Sequence, residues 1–220
     1  MDWPLLAPLS PEARSAVLSA ARHRTFRKGE VVFHEGDPGD ALHLVTAGHL
    51  AVQVATPDGE RATLNVLAPG AHVGELALLP GQLGHRRSAT VLALEPAETQ
   101  VLSAAAFHAV REQFPAVNQI LVDLLAERVR ELSDRLLETM YVGLDRRVYR
   151  CLLRLQEVYA DGPSPTVVPL TQDQLSDLVG GTRPSVNQVL QRLQEQRVIE
   201  LGRGRVVVLD RPTLARKAGR

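Results

Sequence analysis

The stretch TQDQLSDLVGGTRPSVNQVLQRLQ, Thr171–Gln194, reads as two short helices with a break between them. Thr171 is followed at the third helical position by Gln174. That is a capping box: the hydroxyl accepts from one orphan amide and the glutamine reaches back to another. Leu175, Leu178 and Val179 then share one face at helical spacing. Gly180-Gly181 turns the chain. Thr182 caps a second helix, and Pro184 is tolerated in its first turn, where amides lack intrahelical acceptors. Val186, Val189, Leu190 and Leu193 make that helix's inner face. Pro184, Gln188, Gln191 and Glu195 then point outward, with Arg183, Ser185 and Asn187 flanking them near the start. Two short helices joined by a glycine turn are the helix-turn-helix layout, whose second helix enters a DNA major groove.

Working outward, residues 198–210, VIELGRGRVVVLD, read as two strands around Gly202-Arg203-Gly204, a wing. Arginine bonds guanine bidentately, and Gln or Asn bonds adenine; hydroxyls and exposed backbone amides bond phosphate. The expected DNA contacts are therefore Thr171, Gln172, Thr182, Arg183, Ser185, Asn187, Gln188 and Arg203. A helical protein-binding module is the alternative. Charge favours DNA: residues 1–139 hold 12 Lys and Arg against 17 Asp and Glu, whereas residues 140–220 hold 13 against 8. A basic segment on an acidic body suggests a separate module that meets a polyanion.

Upstream, Val122, Leu125, Val129, Leu132, Leu136 and Thr139 recur at steps of three and four within AVNQILVDLLAERVRELSDRLLETMYVG, which starts at Ala116. Such a seam fits a homodimer; a helix packed on its own domain is the alternative. Gly143 marks a hinge, and a further helix is expected over Asp145–Ala160. DGPSP is a loop and TVVPL a short strand.

From Phe26 to Leu102 the rhythm is different. Short β-rich runs alternate with turn residues about every 8–12 positions, the mark of an all-β sandwich or barrel. The runs include ALHLVTAG, RATLNVLAPG, AHVGELALLPG and SATVLALEP. Asp58-Gly59 is a hairpin candidate, and Gly48 and Gly70 are expected to end strands at positive φ. Pro4 to Arg24 reads as short helices, with Ser10 capping and Pro11 opening one of them.

With those residues in hand, the chain resembles the cyclic-AMP receptor protein and fumarate–nitrate regulator (Crp/Fnr) family of bacterial transcription regulators. The resemblance covers nearly the whole length. It is carried by FRKGEVVFHEGDPGDALHLVTAGHLAVQV, by GELALL…RRSATV, by the long helix and by residues 170–200. It implies an α+β chain: an N-terminal β-roll (a cyclic-nucleotide-binding-like jelly roll) over 1–115, a long dimerisation helix and hinge over 116–142, and a C-terminal winged helix-turn-helix over 143–220. It implies a homodimeric, sequence-specific DNA-binding regulator, with a palindromic operator and RNA polymerase as partners. Cyclic AMP or a related ligand would gate it from the β-roll. In that cassette Gly74 brings its backbone to the ligand, Glu75 accepts from a ribose hydroxyl, Arg87 pairs with the cyclic phosphate and Ser88 donates to it. Leu76 borders the site, and Arg86 faces solvent.

Two departures from the family pattern matter. The loop after Glu75 is longer, with Pro80, Gly81 and Gly84 inside it. Where the family's cyclic-AMP receptor has a threonine-serine pair contacting adenine, this chain has Leu132 and Ser133, and Leu132 lacks the hydroxyl. The alternative is thus a ligand-independent regulator controlled by its abundance, with Glu75 and Arg87 pairing inside a roll that binds nothing. At the three base-reading positions this chain has Arg183, Pro184 and Gln188, which implies an operator of different sequence.

Other classes fare worse. Cys151 is the only cysteine, which excludes an internal disulfide, a four-cysteine zinc site and an iron–sulfur cluster; it reads as a small buried residue. His23, His34, His43, His49, His72, His85 and His108 form no tight pair, so neither heme nor metal is expected. No nucleophile–base constellation stands out, so no enzyme is expected. No apolar run approaches the roughly 18 residues of a membrane span, and Met1-Asp2-Trp3-Pro4 is unlike a signal peptide. The expectation is a cytoplasmic protein with no membrane partner.

Overall fold

The computed structural model describes residues 3–56, 59, 61–79, 86–160 and 165–219. Asp58, Pro80, Gly81, Gly84, His85 and most of the DGPSP segment lie outside the described residues. The chain divides into two compact units: Met1–Arg61 with Asn65–Glu131, and Ala62–Leu64 with Leu132–Arg220.

Among the described residues the first unit is built on eight strands: β1 (Arg22–Phe26), β2 (Val31–Phe33), β3 (Ala41–Ala47), β4 (Leu50–Ala55), β5 (Arg61–Leu67, of which Ala62–Leu64 count with the second unit), β6 (His72–Val73), β7 (Thr90–Ala93) and β8 (Ala97–Ser103). They form two four-stranded sheets, ordered β1-β8-β3-β6 and β2-β7-β4-β5. Strand β3 shows how the layers assemble. Successive side chains point to opposite faces. Leu42 and Leu44 join Trp3, Leu6, Val17, Leu78, Phe107 and Ile120 in one core. Val45 joins Phe26, Val32, Leu50 and Val91 in another. Both faces are covered, so Ala41–Val45 is buried throughout, and apart from His43 the run is apolar without strict alternation. Helices α1 (Pro11–Ser19), α2 (Ala104–Gln113) and the start of α3 (Asn118–Tyr141) supply the outer layer of the first core.

Two expectations are corrected here. The helical reading of Pro4–Arg24 ends too late: Arg22–Phe26 is a strand, paired antiparallel with β8 from Arg22↔Val101 to Phe26↔Ala97. Four of its five residues are exposed, so no apolar alternation advertised it. Among its described residues the strand run AHVGELALLPG holds a two-residue strand, His72–Val73, followed by a 3₁₀ turn over Glu75–Leu78. Gly48, Gly59 and Gly70 take positive φ.

The second unit holds the end of α3, then α4 (Leu144–Val158), β9 (Thr166–Val168), α5 (Gln172–Val179), α6 (Arg183–Glu195), β10 (Ile199–Gly202), β11 (Arg205–Val208) and α7 (Arg211–Ala218). Its sheet is ordered β10-β11-β9, and β10 and β11 pair antiparallel around Gly202–Arg205 to make the wing. Helix α7 escaped the sequence reading, although Asp210 caps it through the Thr213 amide at 2.9 Å and Pro212 sits in its first turn. The core is lined by Val148, Cys151, Leu152, Leu175, Val186, Val189, Leu190 and Leu193, all buried. Burial pushes the Cys151 thiol up to about 11, as expected of an inert structural cysteine. No helix among the described residues is long and apolar enough to cross a membrane.

Candidate functional site

In the β-roll the structure brings Gly74 and Arg87 together. Gly74 sits at φ +84°, a region that L side chains avoid. A Cβ at this position would overlap Arg87 Nη1 and stand 2.9 Å from the Ala41 carbonyl oxygen. Glycine is therefore required here twice over, by its backbone angle and by the close approach of the guanidinium.

Arg87 itself is only 6% exposed. Its Nη1 donates to the Ala41 carbonyl at 2.7 Å and to the Gly74 carbonyl at 3.4 Å. Its Nη2 donates to Asp40 Oδ1 at 2.9 Å, and the guanidinium lies 4.1 Å from the Phe33 ring centroid. Burial pulls the Arg87 pKa below its ordinary value, and the Asp40 carboxylate opposes that shift. The expected alternative of a Glu75–Arg87 pair is thus corrected: the carboxylate bonded to Arg87 is that of Asp40, 47 residues away. Glu75 acts on Arg87 only as a weaker, longer-range charge. Arg87 Nε is buried and has no hydrogen-bond partner among the described residues. A buried donor left this way is costly.

The flanking residues follow from local structure. Glu75 and Leu76 begin the 3₁₀ turn and are half-buried, while Ser88 is exposed. Arg86 is exposed, with Nη1 donating to the Gly36 carbonyl at 2.8 Å. Beside the site, His43 is 3% exposed. It bonds Thr99 Oγ1 at 3.2 Å. Burial and the Arg87 and Arg24 charges push its pKa down to about 4, so it is neutral near pH 7. Sequence reasoning missed Asp40, Ala41 and Phe33. No local pattern links them to Arg87; only the sheet does. Leu132 and Ser133 are both exposed on α3.

In the second unit the helix-turn-helix forms as its sequence dictates. The capping box is complete: Gln174 N donates to Thr171 Oγ1 at 3.2 Å, and Thr171 N donates to Gln174 Oε1 at 2.9 Å. Gly180 takes φ +67°, and a Cβ on Gly181 would come within 2.7 Å of Leu144 Cδ1. Leu178 is half-buried, and Ser176 takes the third buried position with its hydroxyl bonded to the Gln172 carbonyl. On α6, Pro184, Gln188, Gln191 and Glu195 are exposed.

The polar residues named for DNA are in place but not equally free. Thr171 and Thr182 both spend their hydroxyls on caps, Thr182 to Ser185. Gln172 is half-buried, and Arg203 is exposed at the wing tip. Arg183 pairs with Asp173 across the two helices. Asn187 is half-buried, and its Oδ1 has no partner among the described residues. Among the described residues, no group of three or more His, Cys, Asp or Glu could hold a metal ion.

A roll cradling a buried arginine and a winged helix-turn-helix on one chain define a DNA-binding regulator with a ligand-type domain. The comparisons agree on both modules. Residues 23–114 match the cyclic nucleotide-binding domain, and residues 146–217 match the Crp-like helix-turn-helix domain. The cyclic AMP receptor protein of Thermus thermophilus is 33% identical over 207 residues, 94% of this chain and 93% of that protein. A CRP-like cAMP-activated global transcriptional regulator of Mycobacterium tuberculosis is 27% identical over 214 residues, 96% of this chain and 94% of that one. Among solved structures, a CRP/FNR-family transcriptional regulator of Thermus thermophilus superposes with a TM-score of 0.75 at 25% identity, covering 90% of this chain and 99% of that one. The chain belongs to the Crp/Fnr family of transcription regulators.

Proposed function

We propose that this regulator is a homodimer that reads a palindromic operator and is gated by a cyclic nucleotide, cyclic AMP or a close relative, held in the β-roll. The observation that carries the ligand is Arg87: a buried guanidinium whose Nε has no partner among the described residues, beside a glycine whose side chain would overlap it. A buried anion needs a paired cation and donors, and this cradle fits a cyclic phosphate. The proposed ligand set is Gly74, Glu75, Leu76, Arg87 and Ser88, with Leu132 and Ser133 carried by the family resemblance alone. Thr171, Gln172, Thr182, Arg183, Ser185, Asn187, Gln188 and Arg203 form the proposed DNA contacts, with phosphate contacts through Thr171 and Thr182 limited to the lone pairs and backbone amides that capping leaves over.

The proposed modules are residues 1–115, 116–142 and 143–220. Val122, Val129, Leu132 and Leu136, each more than half exposed on α3, form the proposed dimer seam, since an apolar stripe of that size is rarely left to water. RNA polymerase is the proposed further partner, the cytoplasm the proposed location, and no enzymatic activity is assigned. A second reading is favoured by one observation: Asp40 already neutralises Arg87, which lets the roll stand without a ligand and leaves control to the protein's abundance.

Calorimetry with cyclic AMP and cyclic GMP, paired with operator affinity for the native chain and for Arg87→Ala, separates the two. Ligand gating requires heat on binding and a ligand-dependent rise in operator affinity that Arg87→Ala abolishes. Ligand-dependent affinity that survives in Arg87→Ala refutes the role of Arg87. No heat, and operator affinity indifferent to both ligands, favours the second reading.

A further inference from the structure

We infer that Asp173 is a positioning residue for base reading: it holds one edge of the Arg183 guanidinium and so presents the other edge to the groove. This rests on the DNA-reading assignment of α6. Arg183 is the first residue of α6, and Asp173 is the second residue of α5. Their side chains meet across the turn, Nη1 to Oδ1 at 3.2 Å, and both are largely exposed. An exposed pair of this kind contributes little to stability, so its consequence is sought in orientation.

The chemistry of the fork makes that consequence specific. Arginine has five donors in a rigid plane. With Nη1 on Asp173, the Nη2 and Nε donors remain for a purine's two acceptors, the geometry of guanine reading. Without a partner, a long side chain at a helix start would also sample nearby phosphates, which carry no sequence information. The carboxylate itself repels phosphate and lowers affinity for any DNA. A carboxylate at the start of α5 also complements the helix dipole. Capping there is already supplied by Thr171 and Gln174, so removing the Asp173 charge leaves the helix start satisfied. Arg183 is moreover the only charged residue in the first turn of α6, followed by Pro184 and Ser185. Discrimination in that turn therefore depends on where this one guanidinium points.

The test is selection of preferred half-sites from random DNA by the full-length chain, followed by affinity measurements on single-base variants. Arg183→Ala identifies the base pair that Arg183 reads. Asp173→Asn is expected to lose preference at that same pair, from roughly tenfold discrimination to under about twofold, while preferences elsewhere and the thermal midpoint hold. Binding to random DNA should stay level or tighten, and Asp173→Glu should retain part of the preference. Undiminished discrimination at that pair in Asp173→Asn overturns the inference, as does a uniform loss across the half-site. A native chain that selects no sequence, either alone or with cyclic AMP or cyclic GMP present, overturns the DNA-reading assignment and this inference with it.

Discussion

Replacing Gly74 with alanine tests the cradle around Arg87, and Gly36→Ala provides its control. Both glycines have φ +84°, so both substitutions carry the same backbone penalty, about 1–2 kcal/mol for an L-residue in the left-handed region. At Gly36 nothing lies within 4 Å of the added Cβ, and the penalty ends there. At Gly74 the Cβ overlaps Arg87 Nη1 and crowds the Ala41 carbonyl oxygen. The guanidinium must leave, and its 2.7 Å bond to Ala41 goes with it. A hydrogen bond from a charged group contributes about 1.5–3 kcal/mol. Gly74→Ala should therefore destabilise by about 2.5–5 kcal/mol. The difference between the two variants should be about 1.5–3 kcal/mol. Trp3 is the only tryptophan and is buried in the roll, its Nε1 bonded to the Val45 carbonyl at 3.2 Å. Urea titrations followed by its fluorescence thus report the roll itself. Equal midpoints for Gly74→Ala and Gly36→Ala would refute the steric argument.

Two further outcomes are expected. His43 titrates at about 4 in the fold and near 6.5 when unfolded, so between those values the unfolded chain binds the extra proton. Stability should be full above pH 6.5 and fall as pH drops towards 4, by up to about 3 kcal/mol; His43→Gln should flatten that slope in Trp3-monitored titrations, and an unchanged slope would assign the loss elsewhere. Val129→Glu, at a position 62% exposed in the single chain, should convert a dimer to a monomer in sedimentation without lowering the urea midpoint of the roll; a variant that stays dimeric would move the interface off this stripe.

The C-terminal reader was legible because its signals are local. A cap and its partner lie three residues apart, a helix face repeats every three or four, and a glycine turn joins neighbours. Short-range geometry of that kind survives in the order of residues, and Thr171–Gln194 folds as those rules require. Strand β1 was not legible, because an exposed edge segment such as RHRTF shows no alternation and owes its conformation to β8. Glu75–Leu78 looked like a strand because its apolar run does not distinguish a strand from a tight helical turn.

By itself the sequence determined the class of the protein, and its family resemblance named Glu75 and Arg87 as the two ends of a candidate ligand site. Only the tertiary structure decided what those ends touch. Asp40, not Glu75, neutralises Arg87; Phe33 faces its guanidinium; and Asp173 meets Arg183 across the turn. These are contacts between side chains brought together by sheet pairing and helix packing. No periodicity along the chain records them, because the charge that satisfies a buried group is chosen by distance in space rather than by distance in sequence.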